Sequence, residues 1–518
     1  MEERGRIWFL GTAAIIILTL LISCSGGGGG GSGGDVGSGQ SGTAVSSGES
    51  GTTGISGTNG GTGSTGGGTT GGTGSTGGGT PTLVQHNDLN VFDTGGSAGN
   101  ASYFNVRMPN TFGLGNCVIV SVFYASGPTV TVTDDKGNKY DLVTTNTDST
   151  NNQIVSVFVA QIATGGGFML TVTASTSFTR VAVKVSEFYN VGAVDTYASH
   201  TANSTTITGG SITPTNGDLL YMVGWQDSAA SPLSTPATFT AGIGQNGITW
   251  SLVPCSAQGP DGSFAQYGQW TGSGSINPQL TVADAQNYAS VVVALKNASA
   301  GTAPSSGIRV VGAQHLWDYD NASLTTQFVT QGTLQVCLAT GNQYISTMTT
   351  DGNSWTQRGN GAVGSAAYAQ ILDLVNTSPG SHTVVVNWTN GGQLGDHHVL
   401  LDIANASASP LDAASTIDNQ DQTSGSQVVW SNAITPTQSN GLVIVNIQVY
   451  YNSVTDLTGT GQRSISCVEY PQYIPSMCDD NDGMGLLYNT NTNAVSFAFD
   501  QTGQAGPWSG APVAYMGP

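Results

Sequence analysis

The chain has 518 residues, only 8% of them charged, and its 31 Asp and Glu against 11 Lys and Arg give a net charge of -20. So acidic a chain repels phosphate backbones and anionic lipid surfaces, which argues against nucleic acid as a partner. The length corresponds to roughly three to four domains, and 38% hydrophobic residues suffice for packed cores only if they are concentrated in part of the chain.

They are concentrated after residue 82. Arg4 and Arg6 precede a run from Ile7 to Leu21 that is apolar except for Gly11, Thr12 and Thr19. That run is short for a membrane span, which needs about 20 residues, but suits the apolar region of a signal peptide. Leu21-Ile22-Ser23-Cys24 follows, and residues 1–24 together resemble the signal peptide and lipobox of a bacterial lipoprotein. The resemblance implies cleavage before Cys24, lipid on its sulfur and amine, and attachment to a membrane through that lipid. Ser25 rather than Asp after the cysteine implies export to the outer membrane or cell surface. Residues 25–82 then hold 27 of the 75 glycines, with Ser and Thr as most of the rest. With so little apolar surface this stretch cannot offset the entropy of ordering. It reads as a flexible linker over 24–82, with an r.m.s. span of about 40 Å.

From residue 83 the texture becomes short apolar runs bounded by Gly, Asn, Pro and Ser. Val118–Tyr124, Ile154–Ile162, Phe168–Ala174 and Val181–Phe188 read as strands, and no segment keeps a helical apolar period. Repeats accompany them. "ITPT" occurs at 212–215 and 434–437, "GNKY" at 137–140 matches "GNSW" at 352–355, and Val194-Asp195 matches Leu411-Asp412. Near-constant offsets with order kept are what duplication with small loop changes leaves. A weaker repeat lies inside each half, so four modules are expected, at 83–192, 193–300, 301–408 and 409–518. Their size and turn spacing predict an all-β fold of tandem antiparallel β-sandwiches, immunoglobulin-like or jelly-roll. "VTDDKGNKY" (132–140) and "VSEFYNV" (185–191) resemble repeats of uncharacterised β-sandwich proteins secreted to bacterial surfaces, a likeness that implies fold and location only.

Candidate sites are sparse. Asp479, Asp480 and Asp482, within "CDDNDG", place oxygen donors close enough for calcium, the one cofactor the sequence points to, although the EF-hand register fails. The alternative for that stretch is a solvated turn. His397 and His398 are adjacent on a predicted strand and point to opposite faces, so they cannot chelate one ion. His86, His200, His315 and His382 lack acidic or thiol partners at ligand spacing. "GIGQNG" (242–247) matches a dinucleotide-binding glycine pattern, but strand-like residues follow where a helix is required. Five cysteines remain after Cys24; Cys467 and Cys478 are placed to close a loop, and the others read as small apolar residues. Trp225, Trp250, Trp355 and Tyr140 read as core. Tyr450, Tyr451, Tyr470, Tyr473 and Trp508 do not repeat between modules and are the candidates for exposed ligand contacts.

The expectation is a lipid-anchored, non-enzymatic surface protein for adhesion, glycan binding or surface structure, with a glycan or surface protein as partner. Two rivals stand beside it. One is an extracellular polysaccharide hydrolase, which needs two carboxylates facing across roughly 5–10 Å; Glu187, Glu469, Asp195, Asp373, Asp402 and Asp412 are available. The other is a ligand-free structural or filament subunit.

Overall fold

The computed structural model describes residues 78–518, except 92–101, 126, 179–180, 228–238, 243–247, 259–260, 318–322, 342, 364–366, 390–396, 415–417, 421–427, 432, 450–452, 458–461, 465–481 and 503–507. Among the described residues there are strands, turns and bends and no helix, so the chain is all-β. Residues 24 and 25–77 of the expected anchor and linker lie outside the described residues.

Residues 82–189 give β1 (Thr82–Val91), β2 (Tyr103–Arg107), β3 (Cys117–Ala125), β4 (Val130–Asp134), β5 (Asp141–Asp148), β6 (Gln153–Gln161), β7 (Met169–Ala174) and β8 (Val181–Tyr189). Next come β9 (Val191–Thr208), β10 (Leu219–Asp227), β11 (Thr240–Ala241), β12 (Ser251–Gln258), β13 (Asp261–Gln269) and β14 (Gln279–Asn297). The third stretch holds β15 (Arg309–Trp317), β16 (Ser323–Thr330), β17 (Leu334–Gly341), β18 (Ile345–Thr350) and β19 (Asn353–Ser354). It continues through β20 (Thr356–Val363), β21 (Ala367–Val375), β22 (Gly380–Trp388) and β23 (His397–Ala404). The last stretch opens with β24 (Leu411–Ala414), β25 (Asp418–Gln420), β26 (Val428–Trp430), β27 (Leu442–Val449) and β28 (Ser453–Leu457). It closes with β29 (Arg463–Ser464), β30 (Asp482–Tyr488), β31 (Ala498–Thr502) and β32 (Trp508–Tyr515).

The central element is a ten-stranded sheet ordered β20-β21-β17-β23-β15-β1-β8-β3-β6-β5. It is antiparallel except at its middle, where β1 and β15 run parallel with His86, Asn87 and Asp88 opposite Gly312, Ala313 and Gln314. Strands from the first and third stretches thus share one sheet. Gly312 is required at this seam: a Cβ there would lie 2.2 Å from the His86 ring.

Both faces of this sheet are covered. Around β3 and β8, Val118, Val120, Val122, Val183 and Val185 pack on the small sheet β2-β7-β4. The alternate residues Cys117, Ile119, Phe123 and Phe188 meet Leu219, Tyr221, Val223 and Trp225 of β10. Phe123 and Trp225 meet edge to face at 6.2 Å. Around β17 and β23, Cys337, Ala339 and Leu400 pack towards Val384 and Val386 of β22, while Val336, Leu338 and Val399 meet Ile444 of β27 and Val513 and Tyr515 of β32. Two-sided burial is why these strands read as nearly unbroken apolar runs rather than alternating ones.

The second and fourth stretches differ in how they cover themselves. β9 and β14 are 18 and 19 residues long and pair along most of their length, with an irregularity between Thr281 and Gln286. β14 pairs β11 on one side of that break and β10 on the other, so one long ribbon serves both ends of its layer. In the fourth stretch the separate sheets β24-β32-β27-β30-β29 and β26-β31-β28 do this work. The layers belong to one compact unit, Gly74–Pro518.

The duplication seen in the sequence recurs in backbone detail. β1 on β8 slips in register between Leu83 and Gln85, and β15 on β23 slips between Val310 and Gly312. Asn190 and Asn405, each just past the inner strand of its pair, adopt left-handed conformations at φ 61° and 57°. The isolated bridges Ile212–Ile276 and Ile434–Val495 are made by the first residue of each "ITPT" stretch.

Candidate functional site

Two buried acids anchor the two halves at equivalent positions. Glu187 on β8 is opposite Gln85, and Asp402 on β23 is opposite Gly312, each at the residue just after the register slip. Glu187 Oε1 accepts from Gly113 N at 2.7 Å and Asn116 Nδ2 at 2.6 Å, and Oε2 accepts from Gln85 Nε2 at 2.7 Å. Asp402 accepts from Gln331 N at 2.6 Å and Gly332 N at 2.9 Å. Each acid therefore ties the loop before β3 or β17 to the sheet. Gly332 has to be glycine, because a Cβ would meet the Ile403 carbonyl oxygen at 2.0 Å. Burial raises the Glu187 carboxyl against the pull of its Asn116, Gln85 and Gly113 donors, and raises Asp402 to about 7 against Gln331, Gly332 and the charge of Arg309.

Above Glu187 opens a cavity of about 730 Å³, where β8, β15 and β30 end. Its walls include Asn110, Asn116, Glu187, Arg309, Tyr488 and Asn489, together with a hydroxyl-rich stretch at 302–306 and an amide-bearing one at 438–441. Asn110 donates to the Val310 carbonyl at 2.6 Å, and Asn116 Oδ1 accepts from Thr302 N at 2.8 Å, so the lining is braced from behind. Arg309 Nη1 donates to the Val84 carbonyl at 2.6 Å, while its Nε is buried without a hydrogen-bond partner. Asn489 is 4% exposed; its Nδ2 donates to the Gln438 and Asn491 carbonyls, and its Oδ1 has no partner. Among the described residues, a donor and an acceptor thus stand unmatched, both buried within the wall rather than open to the cavity.

A second cavity, of about 470 Å³, borders Asp351, Thr377, Ser378 and His382. His382 Nδ1 lies 2.7 Å from Asp351 Oδ2, and its Nε2 lies 3.2 Å from Thr330 Oγ1. Sequence spacing offers His382 no acidic partner, but the fold supplies one 31 residues away. The trio has the outline of a nucleophile relay, yet Nε2 is closer, at 2.8 Å, to the Ser378 carbonyl oxygen. A carbonyl only accepts, so Nε2 carries its proton there and is not available to take one from Thr330.

The described carboxylates considered for hydrolysis are each held by hydrogen bonds within the fold. Asp373 Oδ2 accepts from Arg358 Nε at 2.8 Å and from Tyr515 OH at 3.3 Å, joining the third and fourth stretches. Asp195 Oδ2 accepts from Thr215 N and Oγ1, and Asp412 accepts from Thr437 N and Oγ1. The two sequence repeats "VD/LD" and "ITPT" are therefore hydrogen-bonded partners in both halves. Glu469 lies outside the described residues, and Glu187 is the one side-chain carboxyl lining the larger cavity.

Of the aromatic contact candidates, Trp508 is corrected: it is 3% exposed, begins β32 and packs with Val443, Val445 and Ile447. Its failure to repeat goes with a place in that core rather than with an exposed contact. Tyr450, Tyr451, Tyr470 and Tyr473 lie outside the described residues, as do Asp479, Asp480, Cys467, Cys478 and Cys24. Asp482 opens β30 opposite Gln448 instead of sitting in a loop. Trp225, Trp250, Trp355 and Tyr140 are buried, and Cys117 and Cys337 are buried free thiols. His397 and His398 do face opposite ways, one against His315 at 3.1 Å and the other stacked on Trp388. Among the described residues no group of three or more His, Cys, Asp or Glu is placed to hold a metal ion. The cavity residues Asn110, Arg309 and Asn489 went unnoticed in the sequence, where the only signal was an Asn or Arg at a strand end. No protein-family model matches the chain, and comparison with curated proteins and with solved structures also finds no match.

Proposed function

We propose that the protein is a lipid-anchored, non-enzymatic surface protein whose cavity between β8, β15 and β30 binds neutral polyhydroxylated ligands, the chemistry of glycans. In this reading Cys24 carries the lipid, residues 24–82 act as the tether, and four sandwich modules of immunoglobulin-like or jelly-roll type present the site at an outer membrane or cell surface. The repeated Asp–Thr ties and the separate apolar cores on either side of each main sheet support the modular part.

One observation carries the ligand class: the cavity wall sets the amides of Asn110, Asn116 and Gln438 and the hydroxyls of Thr302, Ser305 and Ser439 among apolar side chains such as Val84 and Ile308. Hydroxyl groups both donate and accept, and a sugar ring also carries apolar C–H faces, so a polyol matches such a mixed wall. A cavity of this volume is in the range that takes small ligands. An anionic ligand is disfavoured, because Arg309 already lies in the field of Glu187 and Asp402 and the chain carries a charge of -20. The relay-like trio at His382 does not argue for hydrolysis, for the reason its Nε2 proton gives. Calcium at Asp479, Asp480 and Asp482 is the only cofactor this reading carries.

The test is a glycan array probed with the full chain, followed by titration of the best neutral glycan. Asn489→Ala and Arg309→Ala should each weaken binding about tenfold, the equivalent of one hydrogen bond of about 1.4 kcal/mol. A folded protein that binds no glycan, or binds equally well with both variants, refutes the assignment.

A further inference from the structure

Lys184 on β8 and Asp88 on β1 are direct cross-strand partners, with Nζ 2.6 Å from Oδ2 and each side chain 1% exposed. They lie on the face of the ten-stranded sheet that carries Ala182 and Phe188 towards β10, and so are enclosed between layers. A buried ion pair is a poor source of stability, since the cost of removing two charges from water is about as large as their attraction and apolar substitutes often do better. The second half provides that comparison. Counting back from Glu187 and Asp402, the positions equivalent to Lys184 and Asp88 are Val399 and His315, which are likewise opposite each other. The same strand pairing therefore forms without an ion pair, and the fold does not require one in the first half.

We propose that Lys184 and Asp88 condense into an amide that cross-links β8 to β1. Proton transfer from the ammonium to the carboxylate within the contact gives a neutral amine beside a neutral carboxylic acid, the pair of forms that a dry environment favours. The Nζ lone pair attacks Cγ, forming the N–C bond while the carbonyl electron pair moves onto oxygen. Collapse of that intermediate breaks the C–OH bond, and the hydroxyl leaves as water with a proton from the former amine. No oxidant, reductant or other co-reactant is consumed.

His86 supplies the proton relay. It precedes Asp88 by two residues on the same face of β1, is buried, and is pressed over Gly312, where no larger residue fits. Its Nδ1 has no hydrogen-bond partner among the described residues. Burial first, and then the charge of Lys184, lower its pKa to about 3, so the ring is neutral and able to pass a proton from the attacking nitrogen to the departing oxygen. The cross-link would fasten the first described strand, the one nearest the Gly-rich stretch, to the middle of the sheet. A pull arriving through residues 24–82 would then meet a covalent tie rather than a ladder of hydrogen bonds.

Tandem mass spectrometry of unfolded, trypsin-digested full chain tests this directly. The expected result is a branched peptide joining the segments that contain Asp88 and Lys184, lighter than their sum by one water, with complete loss of cleavage after Lys184. Asp88→Asn should form the same link with loss of ammonia instead, and Lys184→Met, which keeps the apolar stem, should give only linear peptides. Slower appearance of the branched peptide in His86→Gln would support the relay. Linear peptides with normal cleavage after Lys184 in the wild-type protein would overturn the proposal, whatever the variants do.

Discussion

The two halves of the molecule, residues 82–300 and 301–518, share a plan and differ in where they place charge. Both use one buried acid to hold a loop against the inner strand, Glu187 in the first and Asp402 in the second, and both tie a partly buried Asp to the Thr of "ITPT". Where side chains face the neighbouring layer, the halves diverge. Asp88 and Lys184 stand where the second half has His315 and Val399. Asp218 stands just before β10, and Gly441 just before β27. The retained residues are those whose oxygens collect backbone N–H groups, which the chain path itself fixes. The variable ones answer to packing partners, and these differ between halves.

The sharpest way to break this comparison is to remove the shared acids. Glu187→Ala takes a carboxylate acceptor from three donors, of which Gln85 Nε2 keeps the Asn110 carbonyl, and Asp402→Ala takes one from two backbone donors, all of them buried or partly buried. Losses on the order of 3–5 kcal/mol are expected for Glu187→Ala and about 1 kcal/mol less for Asp402→Ala, read from urea midpoints at pH 7. Equal or negligible losses would mean that the loops are held by something other than these carboxylates. Glu187→Ala should also weaken glycan binding, since it loosens Asn116 in the cavity wall.

Next in size is the contact that only the second half has. Asn446 on β27 donates from one side-chain nitrogen to the carbonyls of Ala339 and Gln370, each at 2.8 Å, bridging two strands of the ten-stranded sheet. Asn446→Leu should cost about 2 kcal/mol, because two hydrogen bonds are lost inside a dry interface. The first half sets aromatic packing at its corresponding interface, with Phe188 against Tyr221 and Tyr267 at 6.1 and 5.2 Å. Loss of stability in Asn446→Leu with unchanged near-ultraviolet dichroism from those aromatics would show that the two interfaces respond separately.

A third expectation concerns pH and the first half alone. Burial raises the Asp218 carboxyl to about 7, helped by its hydrogen bond with Asp195 and by the charge of that neighbour. Burial would raise Asp195 as well, but hydrogen bonds from Asp218 and Thr215 and the charge of Lys296 leave it lowered. A folded pKa above the unfolded one means that the native state holds the extra proton, so the stabilisation is present below about pH 4 and is lost as pH rises towards 7. A shift of about three units corresponds to at most ~4 kcal/mol, which solvent screening reduces, and the lowered Asp195 acts in the opposite direction. Asp218→Asn should therefore raise stability at pH 8 by about 2 kcal/mol and flatten its slope between pH 4 and 7. An unchanged slope would show that the two carboxyls do not share a proton.

How much of this was legible in the sequence follows the same division. Strand character was plain, since Val, Ile, Thr and Phe runs broken by Gly and Asn have few other solutions. Duplication was visible because its markers, the "ITPT" and "VD/LD" pairs, make hydrogen bonds the backbone path demands. The seam between β1 and β15 had no local signal: three residues of each strand meet across more than two hundred positions, and the one clue, Gly312, looks like any other strand glycine. The cavity was illegible for a similar reason, as Asn116, Arg309 and Asn489 come from three distant strand ends. Trp508 misled because non-repetition is evidence of a local difference, and here the difference lies in a buried strand, paired on both sides, whose first residue fills the core beside β27.

The smallest effect discriminates best. Asp195 and Asp412 are equivalent by repeat and make the same pair of bonds to Thr215 and Thr437, so a simple duplication predicts equal cost for Asp195→Ala and Asp412→Ala. Their surroundings say otherwise. Thr215 N has a second acceptor in Asp218 Oδ2 at 3.0 Å, and removing the Asp195 charge also relieves Asp218. Thr437 is followed by Gln438, Ser439, Asn440 and Gly441, with no acid in place of Asp218. Asp412→Ala should therefore cost about 1 kcal/mol, as the loss of a partly exposed acceptor for a backbone N–H does, and Asp195→Ala should be close to neutral at pH 8. Equal losses in urea titrations of the two variants would mean that Asp218 does not stand in for Asp195, and that the two halves are more alike than their charges make them look.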